Sequence, residues 1–247
     1  MEEAPFLEDV SLCAIVRDEM INPAGGIKDF VRSTMPYVEK GVIVDTGSVD
    51  GTRDVLENLT KDYPNLKVYD RLFDDFASSR NYSIEQVETR GVLVLDADER
   101  LTRPDFENLQ KELKNEINAE AVSLFLRDYY ESSNILSIRF VHNPRFFMRR
   151  KNISYKNLDN KSRELLYVGD EVATKFYEFN SLLLVADDVS VKHFHSSRES
   201  SKWKVKYFYN YLESVGDVAP SDVFCNSLWK KLNPQRVGFK GLPELND

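Results

Sequence analysis

The stretch from Gly91 to Arg100, GVLVLDADER, most constrains what this chain can fold into. Residues 92–95 form an unbroken apolar run, which is typical of a short strand buried on both faces. The run ends on Asp96 and Asp98, and residues two apart in an extended segment point to the same side. Two converging carboxylates favour a bound cation, and hard oxygen ligands suit Mg²⁺ or Mn²⁺. A strand that ends in a solvated acidic turn would explain the same residues without a bound cation. The other motifs of the chain are needed to choose between these two interpretations.

The composition is that of an ordinary globular protein, with 247 residues of which 42% are hydrophobic and 30% charged. This length allows one large or two small domains. A net charge of −8 without a basic cluster argues against a nucleic-acid polymer as partner. No signal-peptide pattern or membrane-length apolar run occurs, and Cys13 and Cys225 supply neither a disulfide framework nor a zinc site. We therefore expect a reduced, cytoplasmic protein without a transmembrane segment.

Strand and helix signals alternate along the first half of the chain. Apolar runs predict strands at residues 10–16, 41–44, 66–69 and from residue 91. Because single amphipathic helices separate these strands, we expect βαβ units and a parallel sheet with helices on both faces. From about residue 129 the chain changes to short extended pieces, which predict an antiparallel or mixed half. These pieces are residues 138–141, 146–148, 153–155, 182–185 and 189–191.

Four phrases occur in a fixed order: AIVRDE after the first strand, VDTGSVDGT after the second, FDDFASSRN before a helix, and VLVLDADER. In this order they resemble the family 2 glycosyltransferases. The resemblance implies a GT-A (Rossmann-like) α/β fold and transfer of a sugar from a nucleotide-diphospho-sugar, usually with inversion and a divalent metal, Mn²⁺ or Mg²⁺. It implies a glycosyltransferase domain at residues 1–200, with a nucleotide-sugar half at about 10–103 and an acceptor half at 104–200. A helical C-terminal extension at 201–247 would follow.

The resemblance also assigns roles to individual residues. Val16 and its neighbours would line the base pocket, Asp45 would hydrogen-bond the base or ribose, and Arg80 would sit over the nucleotide. The implied nucleotide-sugar-binding residues are Val16, Arg17, Glu19, Asp45, Gly47, Ser48, Arg80, Asp96 and Ala97. Considered singly, Asp45 is explained as well by a turn-stabilising interaction and Arg80 by a surface ion pair with Asp74 or Asp75. The occurrence of all four phrases in the family's order favours nucleotide-sugar binding over these alternatives.

The resemblance implies a metal site centred on the two aspartates. Asp98 would bind the ion directly, and Asp96 would face both ribose and metal. The family often ends a late strand with a histidine that reaches the ion, and His193 in VKHFH is the closest match. His195 lies on the same strand face by period two. Two surface imidazoles explain these histidines equally well.

An inverting displacement needs a general base to accept the acceptor's proton. The family places a carboxylate after a short strand that follows an aromatic, Arg-rich piece, and FFMRRKNISYKNLDNKS makes Asp159 the candidate. The usual local phrase is missing, so Glu164, Asp187 and Asp188 stay open, as does a capping role for Asp159. Arg145 or Arg149 would meet an anionic acceptor or phosphate, or would be surface charges.

Three other classes of protein have to be weighed. A haloacid-dehalogenase-type phosphatase places its DxD at the first strand and has Thr or Val where this chain has Arg100, so we reject it. A sugar-nucleotide pyrophosphorylase needs a Gly-rich loop with basic side chains after the first strand. Residues 17–26 contain a single basic residue, Arg17, which argues against this class. A non-catalytic nucleotide-sugar-binding module stays open. So do the donor, the acceptor (sugar, lipid-linked or protein) and a homo-oligomeric state.

Overall fold

The computed structural model of the chain describes residues 6–20, 26–116, 118–130, 134–140, 143–159 and 163–196. For residues 128–130, 134–140, 159, 163, 187 and 193–196 it describes the backbone. The predicted helical extension at 201–247 lies outside these ranges.

The described chain contains twelve strands and five α-helices. The strands are β1 (Leu7–Val16), β2 (Val38–Asp45), β3 (Leu66–Asp70), β4 (Gly91–Val94), β5 (Glu99–Arg100), β6 (Ala121–Tyr130), β7 (Asn134–Phe140), β8 (Phe146–Met148), β9 (Ile153–Asp159), β10 (Arg163–Val168), β11 (Glu171–Val172) and β12 (Leu183–Ser196). The helices are α1 (Gly26–Thr34), α2 (Thr52–Asp62), α3 (Phe76–Glu85), α4 (Arg103–Asn115) and α5 (Ala173–Phe179).

Nine strands form one mixed sheet in the order β3-β2-β1-β4-β8-β6-β12-β5, with β7 beside β6. The first four strands are parallel, since β1 pairs in parallel with both β2 and β4, and β2 pairs in parallel with β3. Strand β8 runs antiparallel to β4 and begins the mixed part of the sheet. The predicted α/β class with a parallel amino-terminal part is confirmed.

Alternating residues of the parallel strands pack on two faces of the sheet. Leu12 and Leu93 belong to one buried cluster together with residues of α1, α2 and α4. Cys13 and Val92 belong to a second cluster, which residues of α3 and α5 complete. Because each parallel strand is covered on both sides, its sequence reads as a continuous apolar run rather than an alternating one.

Local sequence signals set the starts of two helices that border the site. Asp75 accepts a hydrogen bond from the Ser78 amide at 2.7 Å and caps α3, as its position predicts. Thr102 and Asp105 form a capping box at the start of α4. Asp105 also receives Lys192 Nζ at 3.0 Å, so the same carboxylate fixes β12 against α4.

The second half differs from its sequence-based prediction in its connections. The extended pieces at 182–185 and 189–191 belong to one strand, β12, with an irregularity between Ala186 and Ser190. Strands β9, β10 and β11 form a separate antiparallel sheet, of which the sequence predicted one strand. Helix α5 was not predicted. None of the described helices has the length and apolar character needed to cross a membrane.

Candidate active site

The carboxyl ends of β1, β2 and β4 lie side by side, because β1 pairs in parallel with strands on both sides. Val16 at the end of β1 is in register with Asp45 at the end of β2. The amide of Leu95, just after β4, donates to the Cys13 carbonyl at 3.3 Å. In open α/β sheets such an edge is where ligands bind, and three of the four motif phrases begin there.

Hydrogen bonds join the loop after β1 to the loop after β2. The Asp18 amide donates to Ser48 Oγ at 2.9 Å, and the Val49 amide donates to Asp18 Oδ1 at 2.7 Å. The Val16 carbonyl accepts from the amide and hydroxyl of Thr46, both at 2.9 Å. Sequence reasoning passed over Asp18, which is buried with a positive φ of 52°. Its place inside the AIVRDE phrase was the available signal.

Asp45 has one oxygen that shapes a turn and one that remains unpaired. Oδ1 accepts from the amides of Gly47 and Ser48, each at 2.8 Å. Gly47 has φ 103°, a conformation that glycine tolerates without a steric penalty. Oδ2 is buried and has no hydrogen-bond partner in the described part of the chain. The turn-stabilising interpretation is therefore correct for Oδ1, while Oδ2 keeps an acceptor for a ligand donor.

A cluster of charges lies around Asp96, whose own side chain is 38% exposed. Arg80 on α3 donates to Asp96 Oδ1, and Arg145 before β8 lies 3.6 Å from Asp96 Oδ2. Glu99 accepts from Arg145 and, at 2.9 Å, from the Asp96 amide. The two guanidinium groups are 6% and 12% exposed, so neither is a surface charge. The surface alternatives considered for Arg80 and Arg145 from the sequence are wrong, and Asp74 instead pairs with Arg71.

The surroundings of Asp96 and Glu99 shift the pKa values of these two carboxyl groups in opposite directions. Burial raises the pKa of Asp96, but the charges of Arg80 and Arg145 outweigh it and hold the pKa below its ordinary value. Burial raises the pKa of Glu99 to about 7, even though Arg145 opposes the shift. The negative charge of Asp98 raises both pKa values, which places its carboxylate in the same electrostatic cluster. Asp96 is thus held ionised beside a more easily protonated Glu99.

Glu164 on β10 joins this cluster from the second sheet. Its Oε1 lies 3.5 Å from Arg80 Nε, and its side chain is 18% exposed. Buried Tyr155 of β9 lies within the electrostatic reach of Arg80, Arg145 and Glu164. The sequence offered Glu164 only as an open alternative, because the pairing of β9 with β10 that brings it to α3 was not predicted.

The other candidate residues border the same edge or lie away from it. Arg17 and Glu19 follow Val16 in the loop after β1, and both are partly exposed. Ala97 is buried, and its carbonyl accepts from Arg100 Nη1 at 2.6 Å. Asp188 is exposed, and its carbonyl accepts from Asn108 of α4 at 3.3 Å.

The backbone shows where the late candidates lie. His193 of β12 pairs in register with Glu99 of β5, next to Asp98 in sequence. Asp159 pairs with Arg163 at the end of the hairpin where β9 connects to β10. The side chains of Asp159, Asp187, His193 and His195 are not described, and His142 lies outside the described ranges. Among the described residues there is no group of three or more acidic, histidine or cysteine side chains arranged to hold a metal ion.

The chain matches the family model described as Glycosyl transferase family 2 over residues 28–167, which is more than half of its length. It therefore belongs to glycosyl transferase family 2. This membership, together with the mixed sheet and its parallel amino-terminal part, confirms the GT-A type of α/β fold that the sequence motifs implied.

Particular relatives match parts of this chain. It is 26% identical over 145 residues to the minor teichoic acid biosynthesis protein GgaB of Bacillus subtilis, covering 57% of this chain and 16% of GgaB. It is 34% identical over 107 residues to a TPR repeat-containing protein of Synechococcus elongatus, covering 43% of this chain and 25% of that protein. The chain thus spans a quarter or less of these curated relatives. A solved structure of S. aureus TarS 1-349 in complex with UDP-GlcNAc is 13% identical, with a TM-score of 0.47, and the match covers 90% of this chain and 70% of that TarS 1-349 chain.

Proposed function

We propose that this chain binds a nucleotide-diphospho-sugar at the joined carboxyl ends of β1, β2 and β4 and transfers the sugar to an acceptor with inversion. The observation that carries the proposal is the convergence of Asp45 and Asp96 at the ends of parallel strands that flank β1. Family membership supports the same activity class.

The first contact of the nucleotide in the proposed site is a hydrogen bond to the unpaired Oδ2 of Asp45. Oδ2 is a buried acceptor without a partner among the described residues, and an N–H of a base or an O–H of a ribose would satisfy it. Its location at the end of β2 puts the base or ribose over the loops that Asp18 and Ser48 join. Val16, Arg17, Glu19, Gly47 and Ser48 then form the wall of this half of the site.

Asp96 and Arg80 form the second anchor of the proposed site. The arginine keeps Asp96 ionised, and an ionised carboxylate accepts strong hydrogen bonds from ribose hydroxyls. Arg80 Nη1 is buried and has no hydrogen-bond partner in the described structure, so it retains a donor for an anionic group of the nucleotide. Ala97 lies between the two aspartates and limits the space beside them.

The carboxylate oxygens of the Asp96–Glu99 turn are the hard ligands that a divalent cation, Mn²⁺ or Mg²⁺, prefers, and the diphosphate of the donor would supply further ligands. Three carboxylates, Asp96, Asp98 and Glu99, lie in one turn, and Arg80 and Arg145 pair with Asp96 and Glu99. Both oxygens of Asp96 face those arginines, which favours Asp98 as the direct ligand with Asp96 behind it and His193 as a supplementary ligand. A bound cation would offset the charge that develops on the departing diphosphate.

A thermal-shift panel tests the proposal. Nucleoside diphosphates and their sugars, including UDP and UDP-GlcNAc, are added to the protein with and without Mn²⁺. A ligand that binds the native state raises the melting temperature. We expect the nucleotides of one nucleobase to raise it, and to do so only when Mn²⁺ is present. Release of nucleoside diphosphate from the stabilising donor then separates an enzyme from a non-catalytic binding module. A panel without any stabilising nucleotide would contradict the proposal.

A further inference from the structure

The described carboxylates outside the Asp96–Glu99 turn differ sharply in their surroundings. Asp170 and Asp188 are exposed, and Glu120 pairs with Arg150. Glu164 alone among the described side chains of this group is mostly buried and linked through an arginine to Asp96.

Two contacts fix Glu164 at the site. Arg80 contacts Glu164 through Nε and Asp96 through Nη2, so one guanidinium group separates the two carboxylates. Asn143 holds the backbone on the other side, since its Nδ2 donates to the Glu164 carbonyl at 3.1 Å and its Oδ1 accepts from the Leu166 amide at 3.0 Å. Arg145, two residues after Asn143, contacts Glu99 and lies 3.6 Å from Asp96. The short segment 143–145 therefore ties β10 to the Asp96–Glu99 turn.

We propose that Glu164 is the general base that accepts the proton of the acceptor hydroxyl during sugar transfer, which is an inference that rests on the proposed function. Its side chain is 18% exposed, which leaves the carboxylate accessible from solvent, and its contact with Arg80 keeps it on the same side of the site as Asp96. Asp159 pairs with Arg163 at the end of the hairpin where β9 connects to β10, whereas Glu164 pairs with Asn157 and contacts Arg80.

The surroundings of Glu164 raise the pKa of its carboxyl group. Burial raises the pKa of its carboxyl, and the negative charge of Asp96 adds to the shift, while Arg80 opposes it. A raised pKa makes an ionised carboxylate a stronger proton acceptor. Arg80 keeps the side chain oriented without a bidentate contact, since Nε faces Oε1 at 3.5 Å.

The proposed sugar transfer is a single displacement at the anomeric carbon. The acceptor oxygen forms a bond to the anomeric carbon as its proton passes to a Glu164 oxygen. The bond from the anomeric carbon to the phosphate oxygen breaks, and its electron pair leaves with the nucleoside diphosphate. The acceptor is a hydroxyl compound, and water serves as the simplest one.

Hydrolysis of UDP-GlcNAc, or of the donor that the panel selects, measures the role of Glu164 with water as the acceptor. We expect Glu164→Ala to bind the nucleoside diphosphate with wild-type affinity and to hydrolyse the donor ~10²–10⁴-fold more slowly. Sodium azide attacks the anomeric carbon without losing a proton, so it is expected to restore diphosphate release in Glu164→Ala. Asp170→Ala, an exposed carboxylate on the following turn, is the control and keeps the wild-type rate.

The outcomes distinguish the inference from the proposed function. A wild-type protein that hydrolyses none of the donors overturns the proposed function and this assignment with it. A wild-type protein that hydrolyses the donor while Glu164→Ala matches its rate overturns the assignment alone. A slow Glu164→Ala that azide does not accelerate means that Glu164 only holds Arg80, which also overturns it. If Asp159→Asn hydrolyses the donor slowly while Glu164→Ala keeps the wild-type rate, Asp159 is the general base instead.

Discussion

His193 of β12 pairs in register with Glu99 of β5, and this backbone contact brings the late strand to the residue that follows Asp98. Lys192, the neighbouring residue, forms a partly buried ion pair with Asp105 at the start of α4. The carboxyl-terminal half of the described fold is thereby fixed beside the two aspartates. This register is the basis on which we propose His193 as a supplementary ligand of a carboxylate-bound metal ion.

The first prediction concerns the metal site. Asp98→Asn should abolish metal-dependent nucleotide binding, because it removes the charged oxygen of the proposed direct ligand. His193→Ala should weaken Mn²⁺ affinity by a smaller factor and leave the melting temperature of the free protein unchanged. Titration of Mn²⁺ in the presence of nucleoside diphosphate measures both effects. Wild-type Mn²⁺ affinity in both His193→Ala and His195→Ala would show that neither histidine reaches the ion.

The second prediction concerns Arg80, which contacts Asp96 and Glu164 while only 6% exposed. Arg80→Ala should lower the free energy of unfolding by about 1.5–3 kcal/mol, because it removes the charge-assisted contacts of a buried guanidinium group with Asp96 and Glu164. Denaturant unfolding measures the loss, and nucleotide affinity should fall in the same variant.

Arg53 is a matched control for Arg80, since it also contacts two carboxylates, Glu57 and Asp70, but is 32% exposed. Arg53→Ala should cost about 0–1 kcal/mol of unfolding free energy. Equal losses in the two variants would mean that burial of the Arg80 cluster does not affect stability.

The sequence predicted the parallel strands because each is a continuous apolar run with a helix between it and the next. It could not predict β5, since two residues carry no periodic signal, nor the β9–β10 hairpin that brings Glu164 to Arg80. Contacts between residues 84 positions apart depend on tertiary packing, so local patterns do not reveal them.

The third prediction concerns the strand that carries the two aspartates. A Cβ at Gly91 would lie 2.9 Å from Val10 Cγ2 and 3.0 Å from Phe146 Cε2. Gly91→Ala should therefore lower the free energy of unfolding by about 1–3 kcal/mol through overpacking. Val10→Ala removes the nearest methyl group, so the double variant should lose less than the sum of the two single losses. Strict additivity in denaturant unfolding would rule out this contact as the cause.

Hydrogen exchange in the presence and absence of nucleoside diphosphate with Mn²⁺ tests the central claim most directly. Nucleotide bound at the joined carboxyl ends of β1, β2 and β4 should slow exchange in residues 16–20, 45–52 and 95–99, because those loops contain Asp45 and Asp96 and would be covered. The helix that carries Arg80 should be protected as well. Protection confined to residues beyond 120, or no protection at a nucleotide concentration that raises the melting temperature, would contradict the proposed site.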